Sequence, residues 1–282
     1  MMFCQYLYIL YLKLNICCKF YGFVLQYVEV IFMFNPPNSE TACGMFTVPH
    51  IISLVICFGL IALFVYLSRN ITEKTLMKIT RIMAVVFVIW EVCKIIFKFV
   101  IGDTYLDHWL PLYFCSLFIF ALIFLSFSKG RIYKTGEAFI SGGCIVSGLS
   151  YLIIPATSLM DFPIYHFLSI HSMLFHSCMV YLGIMYIYKH GINLDKKDYV
   201  YYSIFVGSFI LLSLILNITL NQNFMIIKNP VNIPIDFVNK IANSFPWLYT
   251  LFAILLYMTI PFFTVKLVLF IIKKLKKQTH MR

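Results

Sequence analysis

Seven apolar runs follow one another from His50 to Ile272, each near the ~20 residues that an α-helix needs to cross a bilayer. No arrangement in water hides so many runs of that length, so the expected fold is all-α: an integral membrane bundle of seven transmembrane helices. The runs read as His50 to Leu67, Met83 to Val100, Leu110 to Phe127, Ala138 to Pro155, Phe167 to Tyr188, Tyr201 to Leu220 and Trp247 to Ile272. Composition agrees: 62% of residues are hydrophobic and 12% charged, where soluble domains hold nearer half and a quarter.

The net charge of +11 invites a nucleic-acid reading, but the basic residues are confined to short segments between apolar runs. Arg69, Lys74, Lys78 and Arg81 follow the first run, Lys129, Arg131 and Lys134 the third, and Lys189, Lys196 and Lys197 the fifth. Lys273, Lys274, Lys276, Lys277 and Arg282 close the chain, whereas the alternate connections carry little more than Lys228 and Lys240. By the positive-inside rule the odd-numbered connections and the C-terminus are cytoplasmic, in a multi-pass protein of the cell membrane. The partners expected are membrane phospholipids, and no nucleic acid. Oligomeric state is not readable.

Residues 1–44 read as an N-terminal extension, 45–277 as the transmembrane domain and 278–282 as a tail. Lys13, Lys19 and Glu29 interrupt residues 1–32, which lack a signal-peptide cleavage pattern. Either Met33 is the physiological start or this stretch is an extra N-terminal helix. Nine cysteines without a paired CxxC form neither a disulfide framework nor a zinc motif, and no phosphate-binding loop is present, so no metal and no cofactor is expected.

Ionisable residues inside apolar runs are costly, roughly 2.5 to 3.5 kcal/mol each on the lenient insertion scales, and so are restricted to bundle interiors or polar cavities. Glu91, Lys94 and Lys98 share one helix face at i, i+3 and i+7, where Glu91 can neutralise Lys94. A purely structural pair, or lysines snorkelling to the interface, accounts for the same spacing. His50, Asp103, Asp107, His108, Asp161, His166, Asn221 and Asn223 fall near the outer ends of the runs. Below them lie Tyr113 and Cys115, one to two turns into the third run, His171 about one turn into the fifth, and then His176 and Glu91 near mid-membrane, which describes a cavity opening outward. A mid-membrane histidine can carry protons or act as general acid and base, and a cysteine beside it can be a nucleophile. A structural hydrogen bond for His176 and an inert thiol for Cys115 are the bland alternatives. The candidate catalytic residues are therefore His176, Cys115 and Glu91. The candidate substrate contacts are Tyr113, His171, Asn221, Asn223, Lys94 and Trp247, the last of which also suits an interfacial aromatic belt.

Met45-Phe46-Thr47 with His50, Glu91, Leu110-Pro111-Leu112 before Cys115-Ser116, Phe175-His176 with Gly191, Asn221 to Met225 and Pro246-Trp247 occur in an order that resembles the YwaF-like bacterial membrane proteins. These are distantly similar to the animal transmembrane protein 164 acyltransferases. The resemblance implies a seven-helix fold and transfer of fatty acyl chains between phospholipids by a cysteine-centred mechanism, with His176 at the place of the family's histidine. In the animal branch a cysteine directly follows the proline and a histidine comes next. This chain has Leu112 and Tyr113 there, with Cys115 three residues beyond Leu112. A transporter or sensor using the same charges is the alternative function.

Overall fold

A computed structural model describes residues 33–36, 40–103 and 105–279, so the expectations for residues 1–32 lie outside the described residues. The described residues are mostly helical. Among the described residues five segments are long and apolar enough to cross a membrane: Val48–Ser68, Cys144–Asp161, Phe167–His190, Lys196–Leu220 and Pro246–Thr279.

Helix α1 (Val48–Ser68) is capped by Thr47, whose side chain accepts the His50 N–H, and has Pro49 in its first turn, where no N–H is needed. Helix α2 (Glu73–Val100) is capped by Thr72 and starts ten residues before the expected Met83. An apolar run marks only the part of a helix inside lipid, and the basic first turns of α2 continue the helix beyond it. Its charges keep α2 out of the five apolar segments. It nevertheless buries Leu76, Thr80, Ala84, Phe87, Glu91 and Phe97 against the bundle.

The third expected span is corrected. After the short helix α3 (Leu106–Trp109), residues 110–116 are irregular, and α4 covers only Leu117–Phe127. Pro111 does not start the helix but delays it. The ring of a proline disfavours the helical region for the residue before it, and Leu110 is extended at φ −75°, ψ 134°. Irregular backbone at membrane depth is tolerated only inside protein or beside a polar cavity, and this segment lies beside one.

The fourth expected span is two helices, α5 (Gly130–Gly142) and α6 (Cys144–Ile153), joined at Gly143 and followed by the single turn α7 (Ser158–Asp161). A Cβ on Gly142 would stand 2.5 Å from the Phe262 ring, so only glycine lets the last helix approach here. Helix α8 (Phe167–His190) ends on Gly191 in the left-handed conformation, and α9 (Lys196–Leu220) opens on an Asp195/Asp198 capping box. A 3₁₀ turn (Phe224–Ile226) and the amphipathic α10 (Asp236–Ser244) lead to α11 (Pro246–Thr279). Pro261 inside α11 frees the Tyr257 carbonyl four residues back. Tyr202 of α9 donates its hydroxyl to that carbonyl at 2.6 Å.

The core is aromatic and aliphatic: Phe118, Leu122, Phe139, Leu182, Tyr186, Tyr202 and Phe262 are fully buried. The outer surface is apolar as well, with Val55, Phe64, Ile89, Leu211, Ile218 and Phe252 exposed, as expected where the surrounding solvent is lipid. The basic segments meet at one end of the bundle. There Lys189 donates to the Arg69 carbonyl at 2.5 Å, Lys134 pairs with Glu137 at 2.5 Å, and Lys273 bonds Asn193.

Candidate functional site

In the half of the bundle away from the basic end, the irregular segment before α4 leaves a cavity of about 530 Å³. Glu91, Lys94 and Lys98 of α2 line one wall and Tyr113 to Ser116 another. Helix α6 adds Ser147, Ser150 and Tyr151, and α8 adds His171, Ser172 and His176. Asn223 and Met225 arrive from the connection after α9, and Leu256, Tyr257 and Ile260 from α11.

Four histidines in this half differ in what their nitrogens do. His50 accepts the Phe46 N–H at Nδ1 (3.0 Å), so its Nε2 carries the proton and donates to the Leu152 carbonyl at 2.9 Å, tying α1 to α6. His166 likewise accepts the Leu168 N–H and reaches the Asn35 carbonyl, capping α8. Both are fully employed in holding the fold. His176 is 3% exposed and has one nitrogen committed: Nδ1 lies 2.6 Å from the Ser172 carbonyl. A carbonyl can only accept, so Nδ1 carries the proton and Nε2 presents a lone pair. That Nε2 is buried without a hydrogen-bond partner among the described residues. His171 hydrogen-bonds no described residue and rests edge-on against Trp90, ring centres 4.9 Å apart.

The His176 ring is stacked on Tyr151, with centroids 3.7 Å apart and planes 9° from parallel. Tyr151 in turn bonds Ser158 at 2.5 Å, which donates to Ser172 at 2.7 Å, the residue whose carbonyl holds His176. The close approach of α6 to α8 depends on Gly148, where a Cβ would stand 2.7 Å from the His176 carbonyl. Tyr151 and Ser172 were not singled out from the sequence. A signal existed, because Ser147, Ser150 and Tyr151 at i, i+3 and i+4 form one polar stripe on an apolar helix.

Glu91 pairs with Lys94 as its spacing predicts, with both side chains largely buried. It is not hydrogen-bonded to His176. Glu91 and Lys94 line the same cavity as Cys115 and Tyr151. Cys115 precedes the N-terminus of α4. The first bonds of that helix run from Phe118 to the Cys115 carbonyl and from Ile119 to the Ser116 carbonyl. The Cys115 N–H bonds its own thiol, while those of Ser116 and Leu117 meet no backbone acceptor among the described residues, and the positive end of the helix lies beside the cavity. At the mouth, Lys98 (3.0 Å) and His108 (2.8 Å) both bond Asp103. Burial pushes the Asp103 carboxyl up, but hydrogen bonds from His108, the Tyr105 N–H and Lys98 outweigh it and hold the carboxyl below its ordinary range.

Of the expected contacts, Tyr113, His171, Lys94 and Asn223 line the cavity, while Asn221 borders an adjoining pocket of about 200 Å³. Asn223 shapes its loop: its side chain accepts the Lys228 and Asn229 N–H groups and donates to the Asn229 carbonyl. Asn217 clamps the same loop through both backbone groups of Phe224, at 3.1 and 2.6 Å. Trp247 lines neither space and is 67% exposed at the start of α11. No curated protein and no solved structure matches the chain. The model of the TMEM164 family matches residues 45–264, a stretch that takes in every wall of the cavity. This multi-pass membrane protein therefore belongs to the TMEM164 family.

Proposed function

We propose that the protein is a membrane-embedded acyltransferase that moves fatty acyl chains between phospholipids. One observation carries the reading: the buried, unpartnered Nε2 of His176, with its tautomer fixed by Ser172, lines the same cavity as Cys115. In the proposed reaction His176 Nε2 takes the Cys115 proton, and the thiolate adds to the ester carbonyl of a phospholipid. The Ser116 and Leu117 N–H groups at the start of α4 offer donors to the oxyanion. The alkoxide of the departing lysolipid takes the proton from His176, leaving a thioester on Cys115. The hydroxyl of a second lipid then gives its proton to His176 as it attacks, and Cys115 is released with its proton returned. Glu91 and Lys94 set the field around the thiol, and Tyr113 and His171 contact the substrate. Asn223 and Asn221 hold the loop and pocket at its polar end, and Trp247 meets the lipid surface.

The test is purified protein in lipid nanodiscs, given a phospholipid with a labelled acyl chain and an unlabelled lysophospholipid. Label should move to the lysophospholipid, and Cys115→Ser should reduce the rate by at least ~10². Acid-stable, hydroxylamine-labile label on the wild-type protein marks the thioester. Transfer that is undiminished in Cys115→Ser leaves direct attack by the lipid hydroxyl, assisted by His176. Absence of any transfer sinks the enzymatic reading and leaves that of a transporter or sensor.

The same reading places the protein in the cell membrane in the YwaF-like bacterial branch, with seven passes, α2 and α4 with its preceding segment completing the five apolar ones. The basic end faces the cytoplasm and the cavity opens outward. A reporter fused after Lys277 should be cytoplasmic and one inserted in the 221–244 connection external. A cytoplasmic signal from that connection overturns the topology.

A further inference from the structure

Two breaks in the helices abut. The chain divides into α5 and α6 at Gly143, and Pro261 interrupts the hydrogen-bond ladder of α11 next to the Phe262 ring that Gly142 accommodates. Beyond these breaks α6 and α11 run beside each other, and the cavity wall along them is no longer closed. Ser150 and Ile260 are exposed and Val146 and Leu256 are half-buried, yet all four line the cavity that holds Cys115 and His176. Ile260 is 51% exposed, too much for a residue sealed in a bundle core. It lies about 21 Å along α11 from Pro246 at 1.5 Å per residue, a depth occupied by hydrocarbon when that end of the helix sits at the interface.

We infer that the seam between α6 and α11 is a lateral portal through which one acyl chain of a bilayer lipid reaches the cavity while its headgroup stays at the polar mouth. The occupant follows from the chemistry of the walls. Val146, Leu256 and Ile260 offer it no charge and only the Ser150 hydroxyl, and Ile153, Phe252 and Phe263 beside the seam are exposed to lipid. The charged groups of the cavity belong to other walls: Lys98, Asp107, His108 and Asp161 gather toward its mouth, and Glu91 and Lys94 neutralise each other on α2. A chain in the seam and a headgroup at the mouth would put the ester linkage between them, beside Cys115. The inference rests on the acyl-transfer reading for what is done with the chain, but the portal can be tested without any turnover.

Cys115 serves as the reporter. Its thiolate adds across the double bond of a maleimide, the proton goes to the adjacent carbon and nothing leaves, so labelling of the Cys115 peptide can be followed by mass spectrometry. Hexadecyl maleimide dissolved in the bilayer and a water-soluble sulfonated methanethiosulfonate are applied separately to the full chain in nanodiscs. Ile260→Trp and, from the opposite wall, Val146→Trp should each slow labelling by the membrane-resident reagent about tenfold or more, equal to ~1.4 kcal/mol of added barrier. Labelling by the water-soluble reagent, which enters at the polar mouth, should not change and reports that the fold is intact. Phe263→Trp, on the lipid face beside the seam, should leave both rates unchanged. Equal slowing of both reagents, slowing of neither, or no labelling of wild-type Cys115 by the hexadecyl reagent overturns the portal. Because no acyl transfer is measured, a failed transfer assay leaves this result standing, and a failed portal leaves the transfer reading standing.

Discussion

His176→Ala should abolish acyl transfer while leaving the protein folded. General acid–base groups contribute ~10² to 10⁴ in rate, on the order of 3 to 5 kcal/mol of barrier, and in the proposed reaction the same nitrogen acts in both half-reactions. The fold should survive because His176 makes one side-chain hydrogen bond, to the Ser172 carbonyl of its own helix, and otherwise contributes a stacked ring. His176→Phe is the second variant to compare. It keeps a flat ring against Tyr151 without a nitrogen, so it should match the loss in His176→Ala with less cost in stability. Thermal unfolding of both variants near the wild-type temperature, together with lost transfer, separates chemistry from collapse. Transfer at the wild-type rate in His176→Phe removes this residue from the mechanism.

Glu91→Ala should destabilise the protein by about 3 to 5 kcal/mol, because breaking a buried pair leaves an uncompensated charge. The charge left behind is Lys94, on the same largely buried helix face one turn away. Removing both charges should cost less than removing Glu91 alone, since replacing a buried pair with apolar groups is often neutral. Unfolding of Glu91→Ala, Lys94→Ala and the double variant forms a cycle that isolates the coupling. Additive costs would show that the two residues are near each other without depending on each other.

The sequence made the apolar helices legible, because a run of lipid-grade residues closed by a capping signal has few alternatives. The run expected from Phe167 to Tyr188 is the helix Phe167–His190, closed by the Gly191 already noted in the sequence. The Glu91–Lys94 pair was legible for a similar reason: spacing on one helix is local. The break before α4 was not, since a proline can either begin a helix or hold the preceding residue extended. The division after Gly142 was hidden as well, because the need for glycine at that position comes from the Phe262 ring, more than a hundred residues away. His176 could be singled out as a buried histidine. Its tautomer and its Tyr151 partner depend on how α6 and α8 meet, and no spacing along the chain contains that.

The tightly packed layer beneath the cavity also acts as an electrical barrier. Phe118, Leu122, Phe139, Met179 and Leu182 are all fully buried between the polar chamber and the basic end, and offer an ion nothing to replace its water. A chamber that admits water from one face could otherwise drain the voltage across the membrane. Closed below by this hydrocarbon floor, the chamber keeps its lysines and its histidine on one side of a layer whose side chains give an ion no ligand.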